Sequence, residues 1–180
     1  MPRKAAAHIL PDRLAADQRV WFVGTAAGPM SAAVGAYYAH PGNRFWRSLH
    51  ETGITPRLFA PHEFPELLPL GIGLTDFCKT GWGVDADIAR DAFDAAGFRR
   101  KVARLKPRTL AFTSKMAASL WLERTTARIA TGQQVHELVT QLRAEAGARQ
   151  VEGARLALAE NGACLEGIEE AVACISILAR

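Results

Sequence analysis

The run RVWFVGT, at residues 19–25, places Val, Trp and Phe side by side and then reaches Gly24. A short apolar run that is rich in β-branched and aromatic residues and ends at a glycine is typical of a buried strand that opens into a loop. Two later runs have the same character, GIGLTDF at residues 71–77 and TLAFT at residues 109–113. The sequence therefore predicts three buried strands.

Helical patterns lie between and after these strands. The stretch at residues 45–52 ends at Gly53, a common C-terminal stop, and the stretch at residues 90–105 ends before Pro107. A further helix is predicted at residues 115–123. Alternating strands and helices are typical of an α/β fold, here with three α/β/α layers around a central parallel sheet. Ligands of such folds bind beyond the carboxyl ends of the strands.

The composition of the 180 residues excludes several classes of protein. Hydrophobic residues make up 49% and charged residues 22%, which is ordinary for a globular domain. No apolar run approaches the roughly 18 residues that span a membrane, and the first residues lack a secretory signal pattern. The three cysteines form no CxxC pair. We therefore predict a cytoplasmic protein with reduced thiols, no membrane partner and no metal site.

The pattern changes in the last third of the chain. Residues 135–148 have the spacing of an amphipathic helix, and ARLALAE at residues 154–160 and AVACISILA at residues 171–179 are strand-like. The sequence predicts two units, a domain at residues 1–131 that carries the excess of Lys and Arg and an acidic α-β-β segment at residues 132–180. We expect the strands of this segment to pair with the open third strand, since an uncovered edge favours aggregation.

An aromatic loop follows the first strand: YYAHPGNRFW, at residues 37–46. A Pro-Gly pair interrupts both helical and strand spacing, so the stretch is predicted as a loop. Rings beside an Asn and a His suit the recognition of a flat heterocycle through stacking and edge hydrogen bonds. We predict that Tyr38 and Phe45 stack, that Asn43 reads the base edge, and that His40 binds the base or braces the loop. The alternative is that some of the rings only anchor the loop in the core: Tyr37, Phe45 and Trp46.

The ends of the predicted strands supply the polar groups of the expected site. Gly24 and Thr25 end the first strand and are predicted to line the base pocket, and Asp76 ends the second. Release of a base from deoxyribose passes through an oxocarbenium-like state, in which a carboxylate positions water and stabilises positive charge. We predict that Asp76 is catalytic, the alternative being a structural N-cap or loop-bracing aspartate. Lys115, at a predicted helix start, is expected to hold a phosphate, the alternative being an exposed lysine.

Six basic residues lie close together in and just after the predicted helix at residues 90–105. A cationic surface of this kind binds nucleic acid by releasing counterions, although a solvated helix face is the alternative. The residues are Arg99, Arg100, Lys101, Arg104, Lys106 and Arg108.

Three blocks of the chain together resemble one family. RVWFVGTAAGPMSAAVGAYYAHPGNRFWRSL, LGIGLTDFCKT and RTLAFTSK are similar, in order and spacing, to the mismatch-specific uracil/thymine-DNA glycosylases of the uracil-DNA glycosylase superfamily. The resemblance implies DNA as the partner, base flipping, and hydrolysis of the N-glycosidic bond without a metal or cofactor. It places Tyr38 at the ring that stacks on the flipped base and Asn43 at the asparagine of the HPxNRFW block. Residues 24–31 match the motif around the catalytic water, and we predict that Ser31, at its end, contacts a phosphate together with Lys115.

Two features depart from this family. Its first motif usually carries an asparagine that orients the water, and Ala26 occupies that position here. We expect Asp76 to take over this role with help from Asn43. The family also continues into a fourth parallel strand and a Pro-Ser-rich loop that enters the DNA minor groove, whereas residues 133–180 resemble the C-terminal end of a thiolase or acetyl-CoA acetyltransferase. The predicted fold is therefore a truncated glycosylase-like domain with an added segment.

The sequence is compatible with three functions. The first is a DNA-repair glycosylase that removes uracil or a related deaminated or mismatched base. The second is a catalytically inactive nucleic-acid-binding protein, which the absence of the asparagine favours. The third is an acyl-CoA-associated interaction protein, which the C-terminal resemblance suggests. The preferred base and the oligomeric state are not predicted.

Overall fold

A small parallel sheet forms the centre of the molecule. The computed structural model describes residues 7–129 and 155–156. The strands in this part of the chain are β1 (Val20–Gly24), β2 (Ile72–Asp76), β3 (Thr109–Phe112) and β4 (Arg155–Leu156). All neighbouring strands are parallel, in the order β2-β1-β3-β4. The predicted central parallel sheet is confirmed, and its first three strands lie within the predicted runs.

Four α-helices accompany the sheet in the described residues: α1 (Pro29–Val34), α2 (Phe45–Glu51), α3 (Ala95–Leu105) and α4 (Lys115–Leu122). Short 3-10 turns lie at Pro61–Leu67, Asp85–Asp87, Arg90–Ala92 and Thr126–Arg128. The helices predicted at residues 45–52 and 115–123 are confirmed to within one residue.

Two helices differ from the prediction: one begins later than predicted, and the other was not predicted at all. The helix predicted from residue 90 begins at Ala95, because Asp94 caps it by accepting a hydrogen bond from the Gly97 amide at 2.7 Å. Helix α1 lies inside the stretch predicted as a long loop. It is only one and a half turns long and ends at Gly35, which has a left-handed φ of 68°. Its length is too short to give a helical repeat that sequence patterning detects.

Alternate strand residues face opposite sides of the sheet, and each side is covered by helices. Trp21 belongs to a buried cluster with Phe98 of α3 and Trp121 of α4. Its neighbour Phe22 faces the other way and meets Phe45 of α2 edge to face, with ring centroids 5.2 Å apart. The two clusters form two cores, one on each face, which confirms the three-layer α/β/α architecture.

The register of the sheet brings the carboxyl ends of three strands to one level. Gly24 pairs with Asp76 across β1 and β2, and Val23 pairs with Phe112 across β1 and β3. The residues that follow these ends therefore emerge at the same edge, as expected for a ligand site in a parallel sheet.

The outer edge of β2 is covered by an N-terminal strap, residues 9–13. Arg13 and Leu74 exchange two backbone hydrogen bonds of 2.9 and 3.1 Å in an antiparallel bridge, and the Ile9 amide donates to the Lys79 carbonyl at 2.8 Å. The strap shields an edge that would otherwise be open. It also carries Asp12 to the side of the sheet where β2 ends.

Residues 155–156, inside the strand-like run predicted at residues 154–160, pair with β3, as predicted. Thr109 lies opposite Arg155 and Leu110 opposite Leu156, in parallel orientation. The helix predicted at residues 135–148 and the strand predicted at residues 171–179 lie outside the described residues. Within the described part, none of the helices has the length and apolar character needed to cross a membrane.

Candidate functional site

A cleft of about 460 Å³ opens at the level where the three strands end. Gly24, Asp76 and Thr113, which follow or end the strands, form one wall. The aromatic loop forms another wall with Tyr38 and Asn43. The sheet-edge rule thus located this cleft from sequence, and the predicted site residues Thr25, His40, Phe45 and Ser31 also line it. Lys115 is not among the lining residues, although its neighbour Ser114 is.

Asp76 lies at the bottom of the cleft with only 5% of its surface exposed. A Cβ atom at position 24 would overlap the Asp76 Oδ1 atom, so only glycine at this position leaves room for the carboxylate. The same Cβ would lie 3.5 Å from the Tyr38 hydroxyl. The carboxylate, the phenol and the bare backbone of Gly24 therefore converge on one small volume.

The charge state of Asp76 is set by its surroundings. Burial raises the pKa of this carboxyl to about 6, Lys79 lowers it, and Asp12 and Asp85 raise it further. Among the described residues, no group donates a hydrogen bond to the carboxylate. At neutral pH the side chain is thus ionised and has lone pairs available for a water molecule, as a general base requires.

Tyr38 lies over Phe45, with ring centroids 3.9 Å apart and an angle of 25° between the planes. Its hydroxyl donates to Thr113 Oγ1 at 3.4 Å. Residue 38 has a φ of 53°, a left-handed conformation that costs a non-glycine residue about 1–2 kcal/mol. Burial and the nearby Asp76 raise the pKa of Tyr38 above its ordinary value, so the phenol keeps its proton. One face of the ring is covered by Phe45, so a stacking base would use the other face.

The remaining rings of the aromatic loop fasten it to the sheet. Phe45 is fully buried, and Trp46 donates from Nε1 to the Tyr37 carbonyl at 3.2 Å. The alternative interpretation of Phe45 and Trp46 as core anchors is therefore confirmed. Phe45 supports Tyr38 from below, and its predicted contact with a base stays a prediction.

Asn43 and His40 make hydrogen bonds that shape the loop. Asn43 Oδ1 accepts from the Phe45 amide at 2.9 Å, at the start of α2, and this leaves the Asn43 Nδ2 group to donate elsewhere. His40 is exposed, and its Nδ1 atom accepts from the Gly42 amide at 3.0 Å. His40 thus braces the Pro-Gly turn, as the second interpretation of this residue proposed. Its contact with a base stays a prediction.

Three other predicted site residues have clear positions. Lys115 is exposed at the first turn of α4, next to Ser114, whose hydroxyl accepts from the Ala117 amide at 3.0 Å. Ser31 is buried in α1, where its Oγ accepts from the Ala39 amide at 3.1 Å and so ties the helix to the aromatic loop. Thr25 is buried beside the cleft, and its carbonyl accepts from the Cys78 amide at 2.8 Å. Their roles toward DNA stay predictions.

A partly buried ionic cluster near Asp76 was not predicted. Asp12 accepts from Lys79 at 2.8 Å through Oδ1 and from Lys101 at 2.5 Å through Oδ2, and the Thr75 hydroxyl donates to Oδ1 at 2.7 Å. Burial opposes the charge of Asp12, but the two lysines lower its pKa below the ordinary value. No local pattern reveals such a cluster, because its members come from three distant parts of the chain. The single hint is a lysine three residues after the strand-end Asp76.

Some side chains of the basic cluster at residues 99–108 make contacts within the protein. Arg99 donates to the Trp121 carbonyl at 2.6 Å and pairs with Glu123 at 2.8 Å, and Lys101 pairs with Asp12. These two cations stabilise the fold and are less available to DNA than the pattern suggested.

The described residues contain no group of three His, Cys, Asp or Glu side chains arranged to hold a metal ion. The polar side chains of the cleft are instead one carboxylate, one carboxamide, one imidazole and several hydroxyls.

A comparison with protein families agrees with this arrangement. A model described as the Uracil DNA glycosylase superfamily matches residues 11–159, which is most of the chain. The match includes all the strands described above and every residue of the cleft except Leu10. It also runs past the boundary predicted near residue 131. That boundary and the thiolase-like interpretation of residues 133–180 stay predictions. The extent of the match, together with the three-layer fold, shows that the chain belongs to the uracil DNA glycosylase superfamily.

Proposed function

We propose that this protein is a DNA glycosylase that hydrolyses the N-glycosidic bond of uracil or a related deaminated or mismatched base. The observation that carries the proposal is the buried Asp76 carboxylate at the bottom of a cleft walled by Tyr38 and Asn43. A duplex does not fit such a cleft, so the target nucleotide must leave the stack to enter it.

The base would be held by stacking and by one edge contact. Tyr38 lines the cleft, and the face of its ring away from Phe45 would provide the stacking surface. Asn43 Nδ2 would donate to a carbonyl oxygen of the base, because its Oδ1 atom is already bonded to the Phe45 amide. A carbonyl-bearing base such as uracil, hypoxanthine or xanthine satisfies this donor.

Asp76 would act on the water and on the sugar. As the N-glycosidic bond breaks, its electron pair leaves with the base, and positive charge develops at the sugar C1′ atom, where the carboxylate stabilises it. The water oxygen bonds to C1′ and its proton passes to Asp76. Ala26 supplies no polar side chain to the cleft. Asp76 would therefore take over the role of the asparagine that similar enzymes carry at the position of Ala26.

Lys115 and Ser31 would contact the DNA backbone. Lys115 is exposed next to the cleft residue Ser114 and presents a flexible cation. Ser31 lines the cleft from α1, and its hydroxyl, which accepts from the Ala39 amide, would donate its own proton to the phosphate. We place the chain with the mismatch-specific uracil/thymine type on the strength of the HPGNRFW block at residues 40–46.

A second candidate function is DNA binding without excision. Ala26 favours it, since the residue removes a water-orienting amide from the site. The two functions differ in their product, because only excision leaves an abasic site that alkali converts into a strand break.

The experiment is an excision panel on labelled duplexes with uracil, hypoxanthine or xanthine, or with thymine opposite guanine. We expect strand breaks after alkali with at least one uracil substrate, and a loss of about 100-fold or more in Asp76→Asn. The matched control is Asp91→Asn, an exposed aspartate in the Arg90–Ala92 turn, which should excise normally. Full activity in Asp76→Asn would refute the role of Asp76, and tight binding without breaks would support the second function.

A further inference from the structure

Lys79 is a cation enclosed directly behind the site. It follows Asp76 by three residues, and only 9% of its surface is exposed. Its Nζ atom donates to Asp12 Oδ1 at 2.8 Å and to the Tyr37 hydroxyl at 3.1 Å. Enclosing an ammonium group in this way is costly unless its hydrogen bonds are satisfied. Lys79 is therefore held as an ion in the interior and is not available to contact DNA.

The contacts around Lys79 close into a ring. The Tyr37 hydroxyl receives the bond from Lys79 and donates its own proton to the Pro11 carbonyl at 3.2 Å. Pro11 is followed in the strap by Asp12, whose Oδ1 atom accepts from both Lys79 and the Thr75 hydroxyl. Thr75 in turn immediately precedes Asp76. The ring fixes the ammonium group relative to the end of β2.

The ring also has an excess of positive charge. Asp12 is shared by Lys79 and Lys101, so two cations face one anion. Burial raises the pKa of Tyr37, so its phenol stays neutral. Asp76 therefore has near it a cluster with a net charge of about +1, in which Lys79 lowers the pKa of Asp76 and Asp12 raises it. The other charged group that acts on Asp76 is Asp85, from the segment after β2, whereas the nearby phenol of Tyr38, from the aromatic loop, is neutral.

We propose that Lys79, held by Asp12 and Tyr37, is a positioning residue that keeps the Asp76 carboxylate negatively charged at neutral pH. Lys79 touches neither water nor base and acts through the field of its ammonium group. The proposal rests on the proposed role of Asp76 in excision. It gives the buried lysine a role: without Lys79, Asp12 and the Tyr37 hydroxyl would each lose a hydrogen-bond donor, and Asp76 would lose the cation that offsets the two other aspartates near it.

The experiment compares Lys79→Met, Lys79→Arg and the control Arg90→Met, which removes a charge from an exposed turn. In Lys79→Met, the acid limb of the kcat/KM–pH profile should move to higher pH by about 1 pH unit or more. For a shift of about 1 unit from a pKa of about 6, the variant should then lose about fivefold at pH 6 and match the native protein near pH 9. Lys79→Arg and Arg90→Met should keep the native limb. An equal loss at every pH would refute the proposal.

A second measurement does not depend on excision. Carbon-13 NMR titration of the Asp76 carboxyl gives directly the titration midpoint, which is the pH at which the group is half ionised. The same spectra report whether each variant is folded. A double variant, Asp12→Asn with Lys79→Met, removes both charges of this ion pair, so that no Asp12 carboxylate is left without its Lys79 counterion. The midpoint should rise in Lys79→Met, and an unchanged midpoint in a folded protein overturns the inference. If the native protein excises no base at all, the proposed function fails, and the titration still decides whether Lys79 controls the charge of Asp76.

Discussion

Replacing Asp76 by Asn removes a buried charge and nearly keeps the shape of the side chain. The pKa of Asp76 is raised from 3.8 to about 6, mainly by burial. The folded protein thus binds this proton more tightly than the unfolded chain, and the ionised form opposes folding. This cost is absent below pH 3.8, grows between pH 3.8 and 6, and is complete above pH 6. A shift of about 2 pKa units corresponds to about 3 kcal/mol.

We therefore expect Asp76→Asn to raise the free energy of unfolding by about 2–3 kcal/mol at pH 8 and by less than about 1 kcal/mol at pH 4. Urea unfolding at several pH values between 4 and 8 measures this difference. Asp91→Asn, at an exposed position, should show no comparable trend. A gain that did not depend on pH, or a loss of stability at pH 8, would refute the reasoning that the site holds an unfavourable charge. The test needs no substrate, so it is independent of the proposed activity.

Three further predictions concern the cleft. Gly24→Ala should displace the Asp76 carboxylate and abolish excision, and retention of full activity would contradict the close approach seen here. Tyr38→Ala should weaken the binding of a base-containing single strand by about 10-fold or more, since a stacked base contributes about 1–3 kcal/mol, whereas Tyr38→Phe should lose little. Fluorescence anisotropy separates these two variants, and equal affinities would exclude stacking on residue 38. Lys115→Ala should lower the slope of log K against log salt by about 1 without changing base preference, and an unchanged slope would remove Lys115 from the phosphate contacts.

Most of the architecture was predictable because the strands carry strong local signals. The runs around Phe22, Leu74 and Ala111 are short, apolar and bounded by breakers, and each lies in a buried strand. The site location followed from the parallel order, since the ends of parallel strands meet at one edge. Asp76, Tyr38 and Asn43 were therefore correctly predicted to share one cleft.

What sequence reasoning missed depends on contacts between distant segments. Asp12 meets Lys79 and Lys101, and nothing near any of the three residues signals the other two. The same holds for Arg99, which has the local pattern of a solvated helix residue but packs over the Trp121 ring with its guanidinium carbon 4.8 Å from the centroid. Charges look alike in a sequence whether they face water, DNA or a buried partner. Only the fold distinguishes these cases.

The strap at residues 9–13 has a consequence for the order of folding. Lys101 lies 89 positions after Asp12, so it is synthesised later than its partner. Contacts of such long separation form late, because the chain between them must be ordered first. Until α3 has been made and docked, Asp12 lacks Lys101, one of its two counterions. We expect the pocket to become organised only in the last stage of folding, so that a nascent or partly folded chain has no working site with which to act on DNA.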